Sequence, residues 1–177
     1  MSVLLKNILR FIFFILVQVF VLDKVPFIHQ YIKPSVFFLF ILWLPFGLSR
    51  VSLMVIAFLF GLALDYFAGT PGLHSAPCVL IAYLRPFILN IVIQQEKTGV
   101  TYSDPSAKSI GLGPYVIYIV SLTLAYHIYL TFIEWMEFGD FLFFLGKVLA
   151  SSALSLLLIF ITEILFFRKV KFKTNAA

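Results

Sequence analysis

Six apolar stretches follow one another along this chain, at about residues 4–22, 35–49, 51–68, 75–93, 114–133 and 141–167, with one long polar loop among them at 94–113. A helix needs about 20 apolar residues to cross the hydrocarbon core of a bilayer, with a range of about 17–25. The stretches predict an all-α integral membrane protein, a compact bundle of six transmembrane helices in a single domain over 1–177. Composition removes the alternatives. Charged residues are 12% of the 177 and hydrophobic residues 62%, with a mean hydropathy of +1.07. An ordinary soluble domain is about 25% charged. A surface so poor in charge excludes a cytosolic enzyme, a nucleic-acid-binding domain and a disordered chain. The net charge of +5 is therefore no sign of nucleic acid, and the 22 Phe suit contact with lipid.

Basic residues set the orientation. With a cytoplasmic N-terminus, Lys6, Arg10, Arg50, Lys97, Lys108, Arg168, Lys169, Lys171 and Lys173 lie inside, against Lys24, Lys33 and Lys147 outside. Asp23, Asp65, Glu134, Glu137 and Asp140 lean to the outer side. Both termini and the polar loop 94–113 are thus expected in the cytoplasm. The N-terminal apolar run resembles a signal peptide, but Asp23-Lys24 follows it without a small-residue cleavage site, so it reads as a retained first span. The single cysteine, Cys78, rules out a disulfide framework.

Ionisable groups at membrane depth cost a few kcal/mol, so each needs a reason. Asp65 continues an i, i+4 ladder from Ala57 through Gly61 and on to Gly69, which predicts close approach of another helix. Arg85 shares a face with Cys78 and Ala82, about 15 Å along the fourth span from Ser75, the expected N-cap. Glu163 follows Ser152, Ser155 and Ile159 on one face of the last span. These three residues form either a relay pathway or a set of packing and partner contacts, with Arg85 paired to an acid or to backbone carbonyls. Their depths are staggered by roughly 10 Å each, which favours packing. Tyr115, Tyr118, Tyr126 and Tyr129 stripe the fifth span with Leu122 between them, and packing again outweighs a ligand cavity. His127, Thr131 and Glu134 form a second polar edge suited to bonding a neighbouring helix. His74 falls in the turn before the fourth span, as a loop or interfacial residue. In the last span Gly146 with Ala150, and Ser151 with Ser155, read as close-packing positions.

Catalytic patterns are missing from the sequence. It holds no Gly-x-Ser-x-Gly elbow, no His-Glu-x-x-His helix and no phosphate-binding loop, and three scattered histidines with one cysteine make no metal cluster. The expectation is a protein that is not an enzyme and takes no cofactor.

One run is more specific. Gly61, Asp65, Gly69-Thr70-Pro71-Gly72, Leu73-His74-Ser75 and then Ile81-Ala82-Tyr83-Leu84-Arg85-Pro86 resemble the rod shape-determining protein MreD family in its Bacteroidetes-type form. Pro45-Phe46, His127 with Glu134, and Ser151-Ser152 fit the same form, so the resemblance covers essentially the whole chain. It implies a non-enzymatic inner-membrane subunit of the bacterial cell-elongation machinery. Such a subunit binds the membrane-anchored protein MreC and, through that complex, supports MreB filaments and the lateral-wall peptidoglycan synthases. The family is similar in fold to the substrate-binding components of energy-coupling-factor transporters, which supplies an alternative: a vitamin-type small-molecule binding subunit. Against it, the first span is bulky, with Gln18 its only polar residue between 11 and 22 and no small-xxx-small pattern for docking a coupling subunit. The sequence leaves a homodimer open.

Overall fold

The computed structural model describes residues 3–24, 34–93, 104–134 and 140–165. Among these there is helix and no strand. Helix α1, Val3–Leu16, runs on through a π-helical turn, Val17–Val21, and a 3-10 turn, Leu22–Lys24. The others are α2 (Leu39–Leu42), α3 (Arg50–Ala68), α4 (Ser75–Val92), α5 (Ala107–Ile110), α6 (Leu112–Glu134) and α7 (Phe141–Leu165). Among the described residues α3, α4, α6 and α7 are long and apolar enough to cross a membrane. Leu59, Phe67, Ile91, Phe132, Leu142 and Leu165 show their side chains on the outside, the exterior a lipid-embedded bundle needs.

Local sequence explains the helix ends. Ser49 accepts from the Ser52 N–H and caps α3. Gly69, at φ 67°, takes the left-handed conformation that ends α3, and the N–H groups of Gly69 and Thr70 both reach the Asp65 carbonyl. Within the loop expected over 94–113, Ser106 and Ser109 build a capping box that starts α5, and α6 follows at Leu112; residues 94–103 lie outside the described ones.

Each helix packs on the next: α3 against α4, α4 against α6, α6 against α7, with α1 against α3. In the middle sits α2, in contact with α1 and α4. Every residue from 34 to 44 is buried. Around it Phe38 stacks on Tyr126 with ring centroids 4.7 Å apart, Phe40 meets Phe60 at 4.7 Å and Trp43 meets Phe14 edge-on at 5.6 Å. Two helices approach closely at Gly61, where an added Cβ would overlap the backbone of Ser75. The small-residue ladder thus works as read at Ala57, Gly61 and Asp65, all buried toward the core.

Three expectations need correction. The stretch 35–49 is not a full span: its α-helix covers only Leu39–Leu42, extended by tighter i→i−3 bonds from Leu39 to Val36 and from Leu44 to Ile41. About nine residues of mixed helix rise roughly 15 Å, half of a hydrocarbon core. The ladder stops at Asp65, because Gly69 is exposed and serves as the helix stop. Gly146 is exposed with open space around it, so it is no packing position within the bundle. Of the basic residues used for orientation, Lys33, Lys97, Arg168, Lys169, Lys171 and Lys173 lie outside the described residues.

Candidate functional site

A short helix buried inside an apolar bundle has a problem at both ends. Its first N–H groups and last carbonyls find no partner within the helix, and no water surrounds them. The segment 34–44 meets this problem with side chains from four other helices.

At its start, Gln18 of α1 donates through Nε2 to the Pro34 carbonyl (3.3 Å) and accepts through Oε1 from the Val36 N–H (3.4 Å). Gln18 stands in the π-helical turn, where α1 departs from regular geometry. The Ser35 N–H donates to Ser155 Oγ of α7 at 2.9 Å, and Ser155 is held in turn by His127 Nε2 of α6 at 2.9 Å. At its end, the Tyr118 hydroxyl donates to the Leu42 carbonyl (3.0 Å) and the Arg85 guanidinium donates to the Leu44 carbonyl. Arg85 Nε also donates to the Tyr118 hydroxyl at 3.0 Å. The Trp43 indole donates to Glu163 Oε1 at 2.6 Å and to the Tyr115 hydroxyl at 3.2 Å, while the Tyr115 hydroxyl itself donates to Glu163. Arg10 lies over the Trp43 ring at 5.3 Å.

The chemistry has a consistent sign. Arg85, only 3% exposed, is a cation set against the carbonyl end of a helix, where the helix dipole favours positive charge. Asp65, 2% exposed, is the converse. Its carboxylate accepts from the N–H groups of Gly72 (3.1 Å), His74 (2.8 Å) and Ser75 (3.0 Å), where α4 begins. Ser75 is therefore the first helical residue and not the N-cap: the N-cap position falls to His74, whose side chain makes no capping bond. Asp65 ends α3 with its backbone and starts α4 with its side chain.

The six residues singled out in the sequence fall into separate places. Asp65 and His74 share the α3–α4 turn, and His74 Nδ1 contacts the Tyr126 hydroxyl at 3.1 Å. His127 reaches Ser155, and Glu134 pairs with Lys147 at 2.6 Å, so the polar edge of α6 bonds α7 as expected. Arg85 and Glu163 meet neither each other nor Asp65: both attach to the end of the 34–44 segment through different partners. The tyrosine stripe is buried at Tyr115, Tyr118 and Tyr126 and emerges at Tyr129, with the buried hydroxyls all bonded.

Gln18, Ser155, Tyr118 and Trp43 had no assigned role in the sequence beyond packing. A usable signal existed in Gln18, the only polar residue between 11 and 22. Ser155 also bonds in register: Ser35 to Ser155 and Trp43 to Glu163 are both separated by 120 residues, so the segment and α7 advance side by side. Among the described residues no group of three His, Cys, Asp or Glu is placed to hold a metal ion. Compared with known families, curated proteins and solved structures, the chain matches none of them.

Proposed function

We propose that this protein is a non-enzymatic scaffold of the bacterial cell-elongation machinery. It sits in the inner membrane as a multi-pass helical bundle with both termini in the cytoplasm. It holds the membrane-anchored MreC and, through it, serves MreB filaments and the lateral-wall synthases. The residues from Gly61 to Pro86 that resemble the MreD family are the sequence support. The physical support is a single observation: Asp65 and Arg85, the fully buried charges in that run, are spent on backbone groups of the chain itself. Groups committed to holding helix ends suit a rigid platform better than a carrier that must exchange partners during transport.

A second reading, a small-molecule binding subunit of an energy-coupling-factor transporter, has one observation of its own. The hydroxyls of Thr123 and Ser152 are buried on α6 and α7 with no hydrogen-bond partner among the described residues, on either side of the His127–Ser155 pair. A detergent pull-down of tagged protein from its own membranes, read by mass spectrometry, separates the two readings. Recovery of an MreC-type protein with wall synthases supports the scaffold. Recovery of an ATPase pair with a coupling subunit overturns it.

A further inference from the structure

Arg85 is spent on a carbonyl and a hydroxyl, and Lys147 on Glu134. Arg50 is different. It is the first residue of α3, its side chain is exposed, and it pairs with no carboxylate among the described residues. Its guanidinium lies over the Phe87 ring of α4 at 5.0 Å, which holds the cation in place, yet its N–H groups donate to no acceptor among the described residues.

The depth of Arg50 follows from the length of its helix. The 19 residues of α3 rise about 28 Å, close to the thickness of a hydrocarbon core, so the first of them stands at headgroup level. Its contact with Phe87 continues the α3–α4 interface that Gly61 makes with Ser75, about three turns away along both helices. Toward the membrane centre this end of the interface is open to lipid. Met54 and Phe58 follow Arg50 by one and two turns, half-buried and exposed in that order. Tyr83 precedes Phe87 by one turn, both are exposed, and their ring centroids are 5.3 Å apart.

We infer that this end of the α3–α4 interface docks one anionic phospholipid. The phosphate takes the Arg50 guanidinium, whose fork of donors matches phosphate oxygens, and an acyl chain lies along Phe58, Tyr83 and Phe87. Charge complementarity sets the class of lipid. A zwitterionic headgroup brings its own ammonium, for which Arg50 has no carboxylate neighbour among the described residues. An anionic headgroup brings only the charge that the cation lacks.

Native mass spectrometry of the full-length protein in detergent, titrated with phosphatidylglycerol or with phosphatidylcholine, tests this. The parent should bind its first phosphatidylglycerol more tightly than its first phosphatidylcholine. Arg50→Gln should weaken that first phosphatidylglycerol by about fivefold or more, the factor equivalent to about 1 kcal/mol for one basic residue at an anionic surface. Phe87→Ala should weaken both lipids. Lys108→Gln, which removes an exposed cation from α5, is the control expected to change neither. Equal losses in Arg50→Gln and Lys108→Gln would mean diffuse attraction to the net charge, and overturn the proposal. No loss in Arg50→Gln overturns it as well, and so does displacement of the lipid by equimolar inorganic phosphate, since an ion site needs no acyl chain. If Arg50→Gln fails to fold, Arg50→Met, which keeps an apolar stem over the ring, carries the same comparison.

Discussion

Arg85 closes a helix to which it does not belong: its guanidinium donates to the Leu44 carbonyl, 41 residues earlier in the chain. Two costs oppose each other at such a site. Burying the cation is expensive, and replacement of buried ionic groups by apolar ones is sometimes neutral or stabilising. Stranding a buried carbonyl without a donor costs about 1–3 kcal/mol. Because Arg85 serves two acceptors and sits at the favourable end of the helix dipole, the second cost should win.

Arg85→Leu is therefore expected to lower stability in detergent by about 1–3 kcal/mol. Arg85→Lys should fall between it and the native protein, since an ammonium lacks the planar fork that reaches two partners. Heating the protein and following exposure of the buried Cys78 thiol measures both. A Leu variant as stable as the parent would show that desolvation dominates and that Arg85 is no cap.

Asp65→Ala leaves three N–H groups at the start of α4 without their acceptor. Loss of a helix cap costs about 0.5–2 kcal/mol, and this carboxylate does more than a single cap. Asp65→Asn keeps one acceptor oxygen and gives up the charge, so it should retain about half of the stabilisation. The ordering Asp > Asn > Ala in melting temperature is the readout, and Asn no better than Ala contradicts the capping geometry.

Gly61→Ala places a Cβ against the backbone of Ser75, which has no side-chain freedom to yield. Overpacking of this kind costs about 1–3 kcal/mol. Gly146→Ala, in open space on α7, should cost no more than a few tenths of a kcal/mol or gain slightly from helix propensity. The two alanine variants, compared for folded yield and melting temperature, should separate clearly.

The Glu134–Lys147 pair is only partly buried, with side-chain exposures of 19% and 18%. Pairs of this kind contribute about 0–1 kcal/mol. Glu134→Gln should shift the melting temperature less than Arg85→Leu does, and the double-mutant cycle with Lys147→Met should return a coupling of under about 1 kcal/mol.

Much of this frame was legible in the residues. The approximate bounds of α3, α4, α6 and α7 follow from apolar length, whereas the caps at Ser49 and Gly69 came only with the structure. Ala57-x-x-x-Gly61 announced the α3–α4 contact, and the spacing of His127 and Glu134 announced their bonds to α7. The 35–49 stretch misled because an apolar composition does not distinguish a span from a buried half-helix. Its bracket of Pro34 and Pro45 was the clue, since apolar runs of about 10–14 residues more often lie inside a bundle. The roles of Gln18, Ser155 and Tyr118 were out of reach for a different reason. Each bonds a backbone group, and a backbone group leaves no trace in the sequence of its own position.

Ser35 meets Ser155 and Trp43 meets Glu163 across the same interval of the chain, which makes α7 a ruler for the segment beside it. One residue inserted between 155 and 163 would turn Glu163 by about 100° about the α7 axis and displace it by about 1.5 Å, out of reach of the indole. The same insertion between 35 and 43 would miss from the other side. Neither stretch can change length alone, so these eight-residue intervals are fixed as a pair.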